Sequence, residues 1–203
     1  MRVLDLFSGL GGFSEAFLRS ADDVLRIENN PLLSEVPNTT IMDVIHFRDW
    51  LVEQTKRGEF YNDIDVILAS PPCRDFSTAY AAPRSVAERA GLEWNPSMEL
   101  VEATMDIIQL LQPRYWVIEN VSGSQRYFKR IGLEPNQIHG ACVFYGNFPK
   151  FSTPDMPRKK DRDTTSSDPL RANKRALIPI ELSTALRRAI ISQKTLLDDY
   201  NIV

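Results

Sequence analysis

The residues with the clearest chemical potential lie in the stretch Asp65 to Ser77, Asp-Val-Ile-Leu-Ala-Ser-Pro-Pro-Cys-Arg-Asp-Phe-Ser. The short apolar run predicts a buried strand over 65–69. Pro71 and Pro72 stop it, because neither has an N–H to give to a ladder. Cys73 therefore falls just past the carboxyl end of a strand, the edge at which open α/β sheets bind ligands. A thiolate there can add to an electron-poor carbon. A buried cysteine can also be no more than a small hydrophobe, so the rest of the chain has to decide. Glu119-Asn120-Val121 closes a later apolar run, Tyr115 to Ile118, and puts a carboxyl and an amide at the same edge. A carboxyl kept protonated near neutrality by burial or a negative neighbour donates a proton. In isolation a Glu-Asn pair can equally cap a turn.

Those groups need a scaffold, and the chain supplies a βα alternation. Arg2 to Phe7 predicts a first strand, Ser8-Gly-Leu-Gly-Gly-Phe-Ser14 a glycine-rich turn, and Glu15 to Arg19 a helix. Such a turn lets the backbone approach a ligand over a helix amino terminus; by itself it is only a tight turn. A second strand, Val24 to Ile27, ends in Glu28, which is placed for ribose hydroxyls. Together the turn and the acid suggest a nucleoside-containing cofactor. Thr39 to Asp43 predicts a short third strand, Phe47 to Lys56 a helix, and Thr78 to Trp94 a mobile loop beside the cysteine. Asn95-Pro96 opens a helix through Leu111, with Leu100, Val101, Met105, Ile108 and Leu111 on one face. Asp43 can also be a helix cap.

Beyond Ser122, Gln125 to Arg130 is basic and aromatic, and Val143 to Pro149 predicts one more strand and a turn. Arg158 to Arg175 holds seven Lys or Arg against three Asp, a solvated loop or a phosphate-contacting arm. Glu181 to Ile191 predicts an amphipathic helix docking back on the sheet. The 203 residues suit one domain, and the net charge of −3 gives no global field for nucleic acid, so any such site is local. Two cysteines, Cys73 and Cys142, and no apolar leader argue for free thiols in a reducing compartment, with Cys142 buried and inert. No apolar run is long enough for a membrane span.

In combination Asp5-Leu-Phe-Ser-Gly-Leu-Gly-Gly-Phe-Ser14, Pro71-Pro-Cys-Arg-Asp-Phe-Ser77 and Glu119-Asn-Val121 resemble the cofactor, nucleophile and acid motifs of the cytosine-C5 DNA methyltransferases, in order and spacing. The resemblance covers residues 1 to about 121. It implies an α/β fold, a Rossmann-like S-adenosylmethionine-dependent methyltransferase sandwich, as a single domain with a reduced C-terminal part. It implies a core over 1–121, a reduced DNA-contacting region over 122–176 and a C-terminal helix over 177–203, with Ile178-Pro179 resembling the closing motif. The implied cofactor residues are Asp5, Phe7, Ser8, Gly9, Gly11, Glu28, Asn29, Asp43 and Pro71. Phe7, Gly9 and Gly11 would surround the methionine part, Glu28 the ribose and Asp43 the adenine amino group.

In the implied reaction Cys73 adds to cytosine C6, a protonated Glu119 donates at N3, and Asn120 shapes the pocket. C5 then takes the methyl group, and loss of its proton with expulsion of the thiol restores the ring. Pro72, Arg74, Ser77, Arg126 and Arg175 are the candidate substrate contacts, and no metal is implied. The partner is duplex DNA with its target base flipped out, with a second copy or a recognition subunit as a further partner; the setting is cytoplasmic, in a prokaryote or a virus-infected host. Two departures stand out. Arg74 replaces the usual Gln, and no Gln-x-Arg-x-Arg motif is present, Arg171 and Arg175 being the alternatives. About 55 residues separate Glu-Asn-Val from the closing helix, which leaves no room for the usual target-recognition domain; small phage-type and archaeal members are similarly compact. RNA cytosine-C5 methylation and a non-catalytic accessory subunit are the competing readings. A dinucleotide oxidoreductase is disfavoured, because no hydride-transfer constellation accompanies the fold.

Overall fold

The protein is described from a computed structural model, which covers residues 1–59, 63–152 and 167–198. The first part of the basic stretch, Arg158 to Ser166, lies outside the described residues. Strands β1 (Arg2–Leu6), β2 (Asp23–Glu28), β3 (Thr39–Ile41), β4 (Val66–Ala69), β5 (Tyr115–Val121), β6 (Pro135–His139) and β7 (Cys142–Asn147) form one sheet in the order β3-β2-β1-β4-β5-β7-β6. The first five are parallel, and β7 runs antiparallel to both β5 and β6. Helices α1 (Glu15–Leu18), α2 (Val44–Lys56), α3 (Pro83–Arg89), α4 (Glu99–Leu111), α5 (Gln125–Phe128), α6 (Arg171–Ala176) and α7 (Ile180–Asp198) complete it.

Because successive strand residues face opposite sides, a parallel sheet covered on both faces needs apolar residues at every position, and β4 is buried throughout. Leu4, Leu6, Ile67 and Ile118 pack with Phe47 and Leu51 of α2 and with Ile107, Ile108 and Leu111 of α4. On the other face Val3, Val66, Leu68 and Val117 pack with Phe13, Phe17 and the α7 residues Leu182, Leu186 and Ile190. The α7 contacts show why the closing helix is amphipathic: one stripe covers the sheet.

The predicted strands and helices of the first half form with small shifts at their ends. Five expectations differ. The stretch 78–94 contains α3, started by Pro83 at its first turn, where a missing N–H costs nothing; no α3 residue is buried, so no apolar period marked it. Helix α4 begins at Glu99 rather than at Asn95-Pro96. Glu119 and Asn120 do not close β5 but lie inside it, opposite Phe144 and Val143, because the antiparallel β7 prolongs the ladder beyond the parallel strands. Two strands, not one, follow residue 131. Cys142 is half-buried rather than buried.

Candidate active site

The chain leaves β1 through a strained turn. Phe7 has φ 58°, Gly9 54° and Gly11 79°; this region disfavours a side chain, and the cost at Phe7 is about 1–3 kcal/mol. Glu28 at the end of β2 braces the turn: Oε2 accepts the Gly9 N–H at 2.8 Å, and Oε1 accepts the Asn30 N–H at 2.9 Å. Arg26, two strand positions before Glu28, is fully buried. Its guanidinium donates to Ser14 Oγ at 2.9 Å and to the Gly11 carbonyl at 2.9 Å, filling the space a Gly11 side chain would need. Ser14 Oγ in turn donates to Asp5 Oδ2 at 2.6 Å. Burial, opposed by the Ser14 hydrogen bond and the Arg26 charge, pushes the Asp5 carboxyl up to about 6.

Above this turn lies a cleft of about 390 Å³, the size of a small-ligand pocket. Of the predicted cofactor residues, Asp5, Phe7, Ser8, Gly9, Glu28, Asn29 and Asp43 line it, and so do Pro72, Cys73 and Arg74. Gly11 and Pro71 lie behind its wall, Gly11 against Arg26 and Pro71 with its carbonyl turned to Asn120. Asp43 both lines the cleft and caps α2, its Oδ1 accepting the Ile45 N–H at 2.8 Å. Sequence reasoning missed Ser70, Asn30, Leu100, Ala172 and Asn173, which also line the cleft. Asn173 comes from the far end of the chain, where Asn30 Nδ2 meets its Oδ1 at 3.4 Å; its neighbour Ile178-Pro179 was the usable signal. Three buried polar atoms of the lining, Asp5 Oδ1, Ser8 Oγ and Ser70 Oγ, have no hydrogen-bond partner among the described residues. Buried polar atoms are normally paired, so these three fit a polar ligand carrying donors and a positive charge.

Cys73 opens a turn in which the Phe76 and Ser77 N–H groups donate to its carbonyl at 3.1 and 3.0 Å. Burial and the charge of Glu119 push its thiol up from the ordinary 9.0, against a backbone hydrogen bond and the charge of Arg175. The thiol and carboxyl thus sense one another across the sheet edge, and α6 brings Arg175 within electrostatic reach. Asn120, 1% exposed, ties the two motifs together: its Nδ2 donates to the Pro71 carbonyl at 3.0 Å. Ser77 instead accepts from the Ala79 N–H, and Arg126 pairs with Glu88, both away from the cleft lining.

Two expected outcomes follow from these bonds. Asn120→Ala would strand the buried Pro71 carbonyl and cost about 1–3 kcal/mol, lowering Tm by several degrees; an unchanged melting curve would show that the bond holds nothing. Glu28→Ala should weaken cofactor binding roughly 10- to 100-fold, the loss of a charge-assisted bond and its brace. Calorimetry showing equal affinity would refute the contact.

The strand order with a single antiparallel β7, the glycine turn after β1 and the acid ending β2 define a Rossmann-like α/β fold of the S-adenosylmethionine-dependent methyltransferase class. The profile described as C-5 cytosine-specific DNA methylase matches residues 1–130, and the chain belongs to that family, whose methyl donor is S-adenosylmethionine. The chain is similar to the Type II methyltransferase M1.HphI of Haemophilus parahaemolyticus, 29% identical over 127 residues, 60% of this chain and 32% of the relative. It is also similar to the tRNA (cytosine(38)-C(5))-methyltransferase of Rattus norvegicus, 30% identical over 137 residues, 61% of this chain and 31% of the relative. These matches span about a third of each relative's length. The solved Entamoeba histolytica methyltransferase EhMeth shares the fold, with a TM-score of 0.50 at 16% identity, covering 72% of this chain and 52% of that one. No helix among the described residues is long and apolar enough to cross a membrane.

Proposed function

We propose that the chain transfers a methyl group from S-adenosylmethionine to C5 of cytosine in DNA. The observation that carries this reading is the Asn120–Pro71 hydrogen bond, which fixes the Cys73 turn to the strand bearing Glu119 at one edge of a cleft with orphaned polar atoms. A structural protein has no need of that juxtaposition, which weighs against an accessory subunit. In the proposed reaction S-adenosylmethionine supplies an electrophilic methyl group, held by the Gly9 turn, Glu28 and Asp43. Cys73 adds to C6 and forms a C–S bond, with the electron pair moving toward N3, where Glu119 donates its proton. C5 would take the methyl group as its bond to the sulfonium sulfur breaks and leaves a neutral thioether; the C5 proton is then lost, the C–S bond to Cys73 breaks with its electron pair returning to sulfur, and N3 gives its proton back to Glu119. The base must leave the duplex for Cys73 to reach C6.

Within this reading residues 1–121 form the cofactor and catalytic core, 122–176 contact DNA, and the helix that begins the stretch 177–203 packs back on the core, residues 199–203 lying outside the described residues. A reducing, cytoplasmic setting keeps Cys73 a thiol, and a second copy or a recognition subunit supplies any extended target readout. The test is incubation with S-adenosylmethionine labelled in the methyl group, followed by separation of duplex DNA, single-stranded DNA and RNA. Label in C5 of cytosine in duplex DNA is the expected result. Label in RNA alone would transfer the same chemistry to the RNA branch, and label in none would leave the accessory reading.

A further inference from the structure

Three guanidinium groups converge on one aromatic ring next to the Cys73 turn. The Cζ atoms of Arg84, Arg126 and Arg130 lie 5.9, 4.6 and 5.4 Å from the centroid of Tyr127. One carboxylate answers them: Glu88 Oε1 accepts from Arg84 Nε at 2.9 Å and from Arg126 Nη2 at 3.1 Å. Arg126 also donates to the Tyr127 hydroxyl, and Arg130 has no carboxylate partner among the described residues. Three positive groups against one negative leave a local surplus on a chain whose net charge is −3. Groups this close repel one another inside the screening length of physiological salt.

The cluster is built rather than floppy. Tyr127 is 2% exposed and Phe128 is fully buried, and Ser124 Oγ meets Tyr145 Oη at 2.8 Å beneath them. Arg126 and Arg130 nonetheless point to solvent, the Arg126 side chain being 47% exposed. The cluster is also one side chain from the nucleophile. Phe76, which closes the Cys73 turn, packs its ring edge-on against Phe128 at 5.2 Å and tilted against Tyr127 at 5.8 Å. Gly123 lies so close that a Cβ there would sit 2.0 Å from the Phe76 carbonyl, and Arg84 donates to the Gly123 carbonyl at 3.3 Å.

We propose that Arg84, Arg126 and Arg130, gathered on Tyr127, hold a backbone phosphate of the DNA strand that carries the target cytosine. This rests on the DNA reading above. Guanidinium forks match phosphate oxygens in pairs, and the carboxylate of Glu88 occupies the place of that anion in the free protein. A phosphate held here fixes the strand one aromatic layer from Cys73, which restricts where the extruded base can go.

The test uses the full chain with Arg126→Gln and Arg130→Gln together; both side chains are exposed, and Arg84, which braces Gly123, is left in place. A Lys56→Gln and Arg57→Gln pair, at the carboxyl end of α2 and the opposite edge of the sheet, serves as a control for lost global charge. Duplex affinity is followed against salt by fluorescence anisotropy. The site variant should lose at least about tenfold in affinity at low salt, with its slope of log K against log salt smaller by up to about 0.9, the share of the one phosphate no longer neutralised. Cofactor affinity and Tm should stay at wild-type values, and Glu88→Gln should tighten duplex binding. An unchanged slope, or an equal loss in the control pair, would overturn the site while the label transfer of the wild type still stands. A wild-type chain that bound no duplex at any salt would overturn both the site and the DNA reading.

Discussion

Cys73→Ser should reduce methyl transfer by more than about 10³-fold, the scale on which single nucleophile replacements act. A serine hydroxyl is far less acidic than a thiol and adds poorly to C6. A duplex carrying 5-fluorocytosine should trap the wild-type chain covalently once the methyl group is transferred, because fluorine cannot leave C5 as a proton does. Denaturing electrophoresis reads the trapped species, and a Cys73→Ser chain that trapped as well would remove Cys73 from the mechanism. The thiol of the free protein also has a diagnostic titration. Burial and the Glu119 charge hold it above its ordinary 9.0, so site-resolved alkylation of Cys73 should still be accelerating at pH 9. Glu119→Gln removes one of those two causes and should move the profile to lower pH.

The second large effect concerns stability. Asp5→Asn should make the free protein more stable at pH 7 by up to about 3 kcal/mol, the free energy equivalent of the gap between 3.8 and about 6. The direction follows from proton counting. Between those values the folded state holds the Asp5 proton and the unfolded chain does not, so this contribution is full below 3.8 and is lost as pH rises through about 6. Glu15, Glu88 and Asp168, whose carboxyls are lowered by basic partners, work in the opposite sense and lose their contribution as pH falls. The comparison is therefore between wild type and variant at pH 4 and pH 7: their melting temperatures should converge at the lower pH and separate by several degrees at the higher. A variant that melted lower than wild type at pH 7 would refute the argument. The same change should weaken S-adenosylmethionine binding, since it removes a negative charge beneath the cleft; a destabilising carboxylate retained for a ligand is a common trade of stability for function.

These predictions rest on features that the sequence displays unevenly. The parallel strands were legible because burial on both faces makes them continuous apolar runs, as in Val66 to Ala69. Cys73 was legible because two prolines fix where β4 must stop. Glu119 was legible as a residue but not as a position, since its place inside β5 depends on a partner strand that only folding supplies. Strand β6, Pro-Asn-Gln-Ile-His, has no fully buried residue; as the edge of the sheet it needs no apolar alternation, and none marked it. Arg26 is the opposite case. A charge between Leu25 and Ile27 reads as solvent-facing, yet Arg26 is buried and Leu25 is 39% exposed, because the guanidinium closes the glycine turn from below. Asn173 lies in a basic run whose composition resembles a solvated arm, and only the tertiary fold sets it against Asn30.

The cleft is walled on one side by residues 5–44 and on the other by residues 172–178, with β4 to β7 intervening in sequence between those walls. A ligand touching both therefore acts as a cross-link between distant parts of the chain, one that forms only in the folded state. Such a cross-link stabilises by mass action, about 2.7 kcal/mol when the ligand stands at a hundred times its Kd. A methyl donor seated in this cleft would couple the docking of α6 on the glycine turn to its own supply, and the resistance of the chain around residues 167–176 to proteolysis should then rise with cofactor concentration.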